Sequence, residues 1–253
     1  MRLFKNSILP LMVVMLLSSC GKDFLKESKN ISGEYIIAWG TIFIDPPATT
    51  NNWSPVPKIH IETDNGARLV VKSSQISLGN IESGERVIAN YTPYKGSEVV
   101  TGTKEVEVRL NMVYPVLKKD YIMQSFINED PEYRADSIGN NPLRLTFAGF
   151  GGRYLNIEFT TQRAAGSTVK HLITLVCDDV TPRNDSVYLM LYHNSFGDIG
   201  PVDAVGFVSF DIGTIIPERA NSVDVKLIWK DYDGKTWFDT GTFHKSPLQT
   251  DPL

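Results

Sequence analysis

A chain of 253 residues that is 42% hydrophobic, 21% charged and 10% aromatic has the composition of a folded globular protein, not of a disordered or fibrous one. Its formal charge of −4 is spread without acidic or basic blocks, which disfavours nucleic acid as a partner. Cys20 and Cys177, far apart in role as in sequence, offer neither a disulfide framework nor a zinc cage.

The chain opens with Arg2 and Lys5, an apolar run from Ile8 to Leu17, and Ser18-Ser19 before Cys20. Ten apolar residues make a helix of about 15 Å, half of the roughly 30 Å hydrocarbon thickness of a bilayer. The segment therefore reads as an export signal and not as a span. Leu17-Ser18-Ser19-Cys20 resembles the bacterial lipobox, which implies cleavage before Cys20 and acylation of its thiol, for example with palmitate. Two or three acyl chains would give stable attachment to a membrane surface, where a single chain holds only marginally. Gly21 stands where an Asp would favour the inner membrane by the known sorting rules, so the expected address is the outer membrane, facing either periplasm or medium. Removing residues 1–19 takes two of the 25 basic side chains, leaving 23 against 29 acidic and a net −6.

Residues 20–30 are polar and charged, as suits a lipidated tether. Strands then dominate. Glu34 to Ile44 is rich in β-branched and aromatic residues and stops at Asp45-Pro46-Pro47. In Lys58 to Thr63, Ile59 and Ile61 alternate with Lys58, His60 and Glu62, and Asp64-Asn65-Gly66 turns the chain into Arg68 to Lys72. A fourth strand runs from Arg86 to Tyr91. In the fifth, Val106, Val108, Leu110 and Met112 are expected inward, and Glu105, Glu107, Arg109 and Asn111 outward. Five strands within residues 31–118 predict a small barrel of the OB type; an SH3-like barrel or an open sandwich fits the same runs.

Residues 119–141 interrupt the pattern with clusters of charge, Pro, Gly and Asn, and read as a linker with at most a helical turn around Tyr121 to Asn128. Within residues 142–253, seven further strands are predicted: Leu143 to Phe147, Tyr154 to Thr160, Thr168 to Cys177, Ser186 to His193, Ala204 to Ile212, Val223 to Trp229 and Thr236 to Phe243. Their spacing and turn residues predict an immunoglobulin-like β-sandwich, so the chain is expected to be all-β.

Five segments carry a family likeness: Arg86-Val87-Ile88-Ala89-Asn90-Tyr91, Asp136-Ser137-Ile138-Gly139-Asn140, Tyr154-Leu155-Asn156-Ile157-Glu158-Phe159, Leu191-Tyr192-His193-Asn194 and Gly206-Phe207-Val208-Ser209-Phe210-Asp211. Together with the lipobox they resemble the NigD-like lipoproteins of Gram-negative anaerobes. The resemblance implies an OB-type N-terminal domain and a C-terminal β-sandwich; the family takes its name from a bacteriocin gene cluster and has no assigned biochemical activity.

No G-x-S-x-G or H-E-x-x-H scaffold occurs, and His60, His171, His193 and His244 have no second histidine at metal-ligand spacing. Tyr192-His193-Asn194 ends a strand and opens a polar loop. His193, Asn194, Asp198 and Asp203 there could bind a polar ligand, or His193 and Asn194 could tie loop backbone groups at a strand corner. Asp231-x-Asp233-Gly234 opens like a calcium loop, but Lys235 and Thr242 stand where oxygen ligands are needed, which leaves a hairpin turn. Asp178-Asp179 reads as a calcium ligand pair or a solvated strand end. Cys177 is in phase with Ile173 and Leu175 and reads as core. Trp53 could serve a shallow glycan or peptide site, or pack against the barrel.

These readings predict a non-enzymatic envelope lipoprotein that needs no metal or cofactor. It would bind an envelope protein, a peptide or a glycan, and no nucleic acid. The competing expectations are a bacteriocin immunity or accessory factor, and a cryptic hydrolase with a site near His193.

Overall fold

The computed structural model describes residues 35–45, 57–94, 105–181, 186–218 and 220–245. The expected leader, Cys20, the expected tether and Trp53 lie outside the described residues.

The first five strands, β1 (Ile36–Asp45), β2 (Lys58–Thr63), β3 (Arg68–Ser74), β4 (Arg86–Pro93) and β5 (Glu105–Asp120), run in the order β3-β2-β1-β4-β5. A parallel pairing of β3 with β5 closes the ring. This is the expected OB-type barrel, and closure removes the sheet edges. Its interior holds Ile42, Ile61, Leu69, Val87, Val108 and Leu110, all with no exposed surface.

One inward position fails. Met112 is exposed, and Val113 and Val116 are buried in its place. Asn90 pairs with Met112 but Tyr91 pairs with Leu110, so Asn111 is an extra residue in β5. A bulge of this kind shifts the alternation by one. Asn111 is held there by donating to Asn90 Oδ1 and Thr92 Oγ1, both at 3.0 Å.

The long β5 also joins the two halves. Beyond the barrel, its residues Leu117–Asp120 pair in parallel with Val208–Asp211 of β11 (Val202–Asp211). That layer continues through β8 (Tyr154–Arg163) to β7 (Arg144–Gly151). The facing layer has the order β13-β12-β10-β9-β6, from β6 (Ile122–Met123), β9 (Leu172–Cys177), β10 (Ser186–Asn194), β12 (Ser222–Lys230) and β13 (Thr236–His244). Here β10 and β12 run parallel. Between the layers lie Leu143, Leu155, Ile157, Leu175, Leu189, Val208, Phe210 and Phe243. The expected inward residues Val225 and Leu227 join them, with Val223 and Trp229 packed alongside.

Residues 119–141, expected as a linker, are instead structured. β6 pairs with β9, and α1 (Gln124–Asn128) and α2 (Pro131–Ile138) follow. Ile127 and Ile138 from these helices cover Val176, with Ile122, Met190 and Tyr192 beside them. The segment is polar because one thin apolar stripe suffices to seat it. Pro131 starts α2 at a position that needs no amide donor. The acids nearby are used locally as well: Asp179 accepts the amide and hydroxyl of Ser125 at the start of α1, and Asp178 accepts the amides of Val180 and Thr181. The Ser125 contacts hold the Asp179 carboxyl below its ordinary range. The turn at Asp231 closes as a hairpin, with Gly234 N–H donating to the Asp231 carbonyl at 3.0 Å.

Barrel and sandwich meet at Arg86, which is 1% exposed. Its Nη1 and Nη2 donate to Asp64 Oδ1 and Oδ2 at 2.7 and 2.6 Å. The remaining donors reach Thr41 Oγ1 at 3.3 Å, Asn156 Oδ1 at 3.0 Å and Ser209 Oγ at 3.2 Å. All five guanidinium N–H groups are thereby used. Asn156 Nδ2 donates to Asp64 Oδ2 at 2.5 Å, Ser209 Oγ donates to Asn156 Oδ1 at 2.7 Å, and the Tyr154 ring lies 4.1 Å from the guanidinium carbon. Thr41, Asp64 and Arg86 belong to the barrel, whereas Tyr154, Asn156 and Ser209 belong to the sandwich. Asp64 can come this close because Gly151 has no side chain: a Cβ there would sit 2.4 Å from Asp64 Cβ.

Removing one partner of a buried ion pair strands the other charge, at a cost of about 3–5 kcal/mol. Asp64→Ala is therefore expected to lower unfolding stability by roughly that amount in urea titration, and a loss below about 1 kcal/mol would refute the role given to the pair. Cys177, 8% exposed within the sandwich core, has its thiol pushed up to about 11 by burial and then by Asp179 and Asp178. In a Cys20→Ser chain it should resist maleimide at pH 7.5 until denaturant is added. Rapid labelling of the native protein would contradict this.

Candidate functional site

The predicted loop-end site lies where β10 delivers its last residues. His193 and Asn194 are both buried, at 2% and 9% exposure. His193 Nδ1 lies 3.0 Å from the Pro142 carbonyl oxygen, and its Nε2 lies 2.9 Å from His171 Nδ1. His171 Nε2 in turn lies 3.1 Å from Asp198 Oδ2. A continuous chain of contacts thus runs from a backbone carbonyl through two imidazoles to a carboxylate.

Local structure explains how the pieces meet. His193 pairs with Ile173 across β10 and β9, so the start of β9 is held beside the end of β10. Residues 168–171, expected as part of that strand, are instead a loop, and His171 stands in it. Asp198 comes from the loop between β10 and β11 and latches the two loops together. Its Oδ1 accepts the Ala164 amide at 2.9 Å, and Oδ2 lies 3.8 Å from Arg163 Nε. The latch needs Gly200, where a Cβ would lie 2.5 Å from Ala164 Cα and 2.6 Å from the Arg163 carbonyl.

Electrostatics follow from these contacts. The Ala164 amide, then the Ser167 hydroxyl and His171, hold the Asp198 carboxyl below the usual carboxylate range. Burial pushes the His193 imidazole below its ordinary value, the nearby His171 adds to this, and the Pro142 carbonyl opposes it. Burial thus favours the neutral form of His193.

Asn194 has a different task. Its Nδ2 donates to the carbonyls of Asp136 and Ser137 at 3.1 and 3.0 Å, and its Oδ1 accepts the Phe196 amide at 2.8 Å. It ties α2 to β10 and shapes the turn in which Phe196 takes a positive φ of 50°. Asp203 does not join the cluster. It is exposed on β11, opposite Gln162, and its charge acts on Tyr232.

Sequence reasoning treated His171 as isolated and passed over Arg163 and Lys170. All three line an open cleft of about 320 Å³ between the β8–β9 loop and β11. The only available signal was the antiparallel register of His193 with Ile173, which no spacing of histidines along the chain reveals. Among the described residues, no group of three or more His, Cys, Asp or Glu could hold a metal ion, and no helix is long and apolar enough to cross a membrane.

His193 gives the fold a pH dependence. The unfolded chain takes up a proton on this side chain near pH 6.5, while the folded chain does so only at lower pH, so stability falls as pH drops below about 6.5. The depressed Asp198 carboxyl adds stability that is present above its ordinary value and lost as pH falls through its lower folded value. Melting temperature should therefore decline on acidification from pH 7 to 5, and the decline should flatten in His193→Gln. Parallel profiles for the two proteins would rule out this assignment.

Comparison with known proteins bears on the same half of the chain. Residues 125–242 match the family model for the NigD-like C-terminal beta sandwich domain. No curated protein matches the chain. Among solved structures, a protein of unknown function (DUF1344) from Bacteroides vulgatus superposes with a TM-score of 0.61 at 22% identity, covering 87% of this chain and 94% of that one. A toxin-related protein from Parabacteroides distasonis has a TM-score of 0.61 at 18% identity, with 86% and 98% covered. A NigD-like immunity protein from Bacteroides caccae has a TM-score of 0.61 at 17% identity, with 82% and 96% covered. At these identities the structures show a shared two-part fold, and residues 125–242 match the NigD-like C-terminal beta sandwich domain.

Proposed function

We propose that this protein is a lipid-anchored envelope protein that serves as an immunity or accessory factor for a secreted bacteriocin, acting by binding a macromolecule and not by catalysis. The observation that carries the reading is a match to the NigD-like sandwich domain at residues 125–242, in a chain whose Leu17-Ser18-Ser19-Cys20 resembles a lipobox. The likeness to structures described as an immunity protein and a toxin-related protein supports it. Attachment through Cys20 to the outer membrane would place the two β-domains where an envelope protein, a peptide or a glycan is met.

The site geometry favours binding over the hydrolase reading. A general base needs a ring nitrogen free to take a proton from a substrate or water. Both nitrogens of His193 and both of His171 are already engaged.

Expression in a sensitive strain, challenged with culture supernatant of a bacteriocin-producing relative, tests the reading. Survival should rise with the intact chain and return to background in Cys20→Ala, which should also lose radiolabelled fatty acid. Equal survival with and without the intact chain would overturn the immunity role, and an unlabelled intact chain would overturn the anchor.

A further inference from the structure

The contacts around His171 can be counted in protons. Three gaps separate the Pro142 carbonyl, His193, His171 and Asp198. The carbonyl at one end and the ionised carboxylate at the other can only accept. Each of the three gaps therefore needs an N–H, and two neutral imidazoles bring only two. The full set is made when the pair carries one extra proton. His171 is the ring that lies against Asp198, and the buried His193 serves as its neutral acceptor.

An imidazolium at His171 changes the character of the cleft in front of it. The cleft wall then carries three cations, Arg163, Lys170 and His171, together with the hydroxyl groups of Thr161 and Thr168, and no carboxylate is among its lining residues. Asp198 lies behind His171 and Arg163, within 3.1 and 3.8 Å of them, so it neutralises one charge and leaves two in excess. Arg163 is fixed in place by donating from Nη2 to the Ser167 carbonyl. A local concentration of positive charge and hydroxyl donors on a chain of net negative charge is an electrostatic trap for an anion. The volume of about 320 Å³ lies at the lower end of the range for small-molecule sites.

We propose that the cleft formed by Arg163, Lys170 and His171 is a binding site for a small molecule or terminal group bearing an oxyanion, either a carboxylate or a phosphate. Arg163 presents a planar fork suited to two oxygens, Lys170 supplies a mobile point charge, and His171, whose two ring nitrogens are taken by His193 and Asp198, contributes charge and not a hydrogen bond. The site stands independently of the envelope role, so failure of either leaves the other in place.

The test uses the full chain, lipidated and in detergent, titrated with inorganic phosphate and separately with acetate at constant ionic strength set with sodium chloride. The histidine ring resonances are followed by NMR, and the His171 signal is identified by its loss in His171→Gln. A saturable shift at His171 with either probe is expected, and the better probe identifies the oxyanion class. Its midpoint should rise at least ten-fold in Lys170→Ala, an exposed position whose replacement leaves the Asp198 latch intact. Binding should weaken at pH values where the same resonance shows that His171 has lost its proton. The proposal is overturned if neither probe gives a saturable shift, or if Lys170→Ala binds as tightly as the unsubstituted chain.

Discussion

The structure depends on one buried ion pair. Arg86 and Asp64 are both barrel residues, yet apart from one bond to Thr41 the remainder of their side-chain hydrogen bonding is satisfied by the sandwich, through Asn156 and Ser209. A guanidinium taken out of water costs several kcal/mol unless each donor is matched. Neither domain therefore supplies a complete environment for Arg86 alone, and docking the two completes it. The parallel pairing of β5 with β11 fixes the same junction through the backbone. Side-chain and main-chain constraints thus set one relative placement of barrel and sandwich.

A second polar lock works within the sandwich. Asn194 ties α2 to the end of β10, while Asp198 ties the β10–β11 loop to the β8–β9 loop. Because those contacts hold the loops, the His193 and His171 rings are kept 5.0 Å apart between centroids, and the cleft has a fixed cationic wall. The same contacts that make the loop end rigid also give it a chemistry. With every imidazole nitrogen in the chain of contacts already engaged, none is free to act as a general base.

The five segments that carry the family likeness gain a physical meaning from the fold. Three of them contribute Arg86, Asn156 with Tyr154, and Ser209, which converge on the junction of the domains. The other two contribute Asp136 and Ser137 on one side and Asn194 on the other, which meet at the second lock. Residues that look unremarkable along the chain are, in space, the partners in two buried polar networks. This is the kind of position at which substitution leaves an unpaired polar group behind.

How much could be read beforehand follows from which forces are local. Alternation of apolar side chains is a short-range pattern, so Lys58–Thr63 was located to the residue and most other strands to within a few. Where an extra residue shifted the pattern, as at Asn111, the reading of Met112 failed, because the chain alone does not reveal which residue its neighbour skips. The first helix falls within the turn expected around Tyr121 to Asn128, whereas α2 was missed because Ile138 alone seats it in the core, and one residue makes no period. By itself, the sequence determined the all-β class, the division into barrel and sandwich, the family likeness and the buried setting of Cys177. Only the tertiary structure decided that Arg86 meets Asn156 and that His171 meets His193 and Asp198, since those contacts join residues 22 to 70 positions apart. Charge pairing and proton sharing act over a few ångströms in space, and nothing in the spacing of such residues along the chain records that they will arrive there.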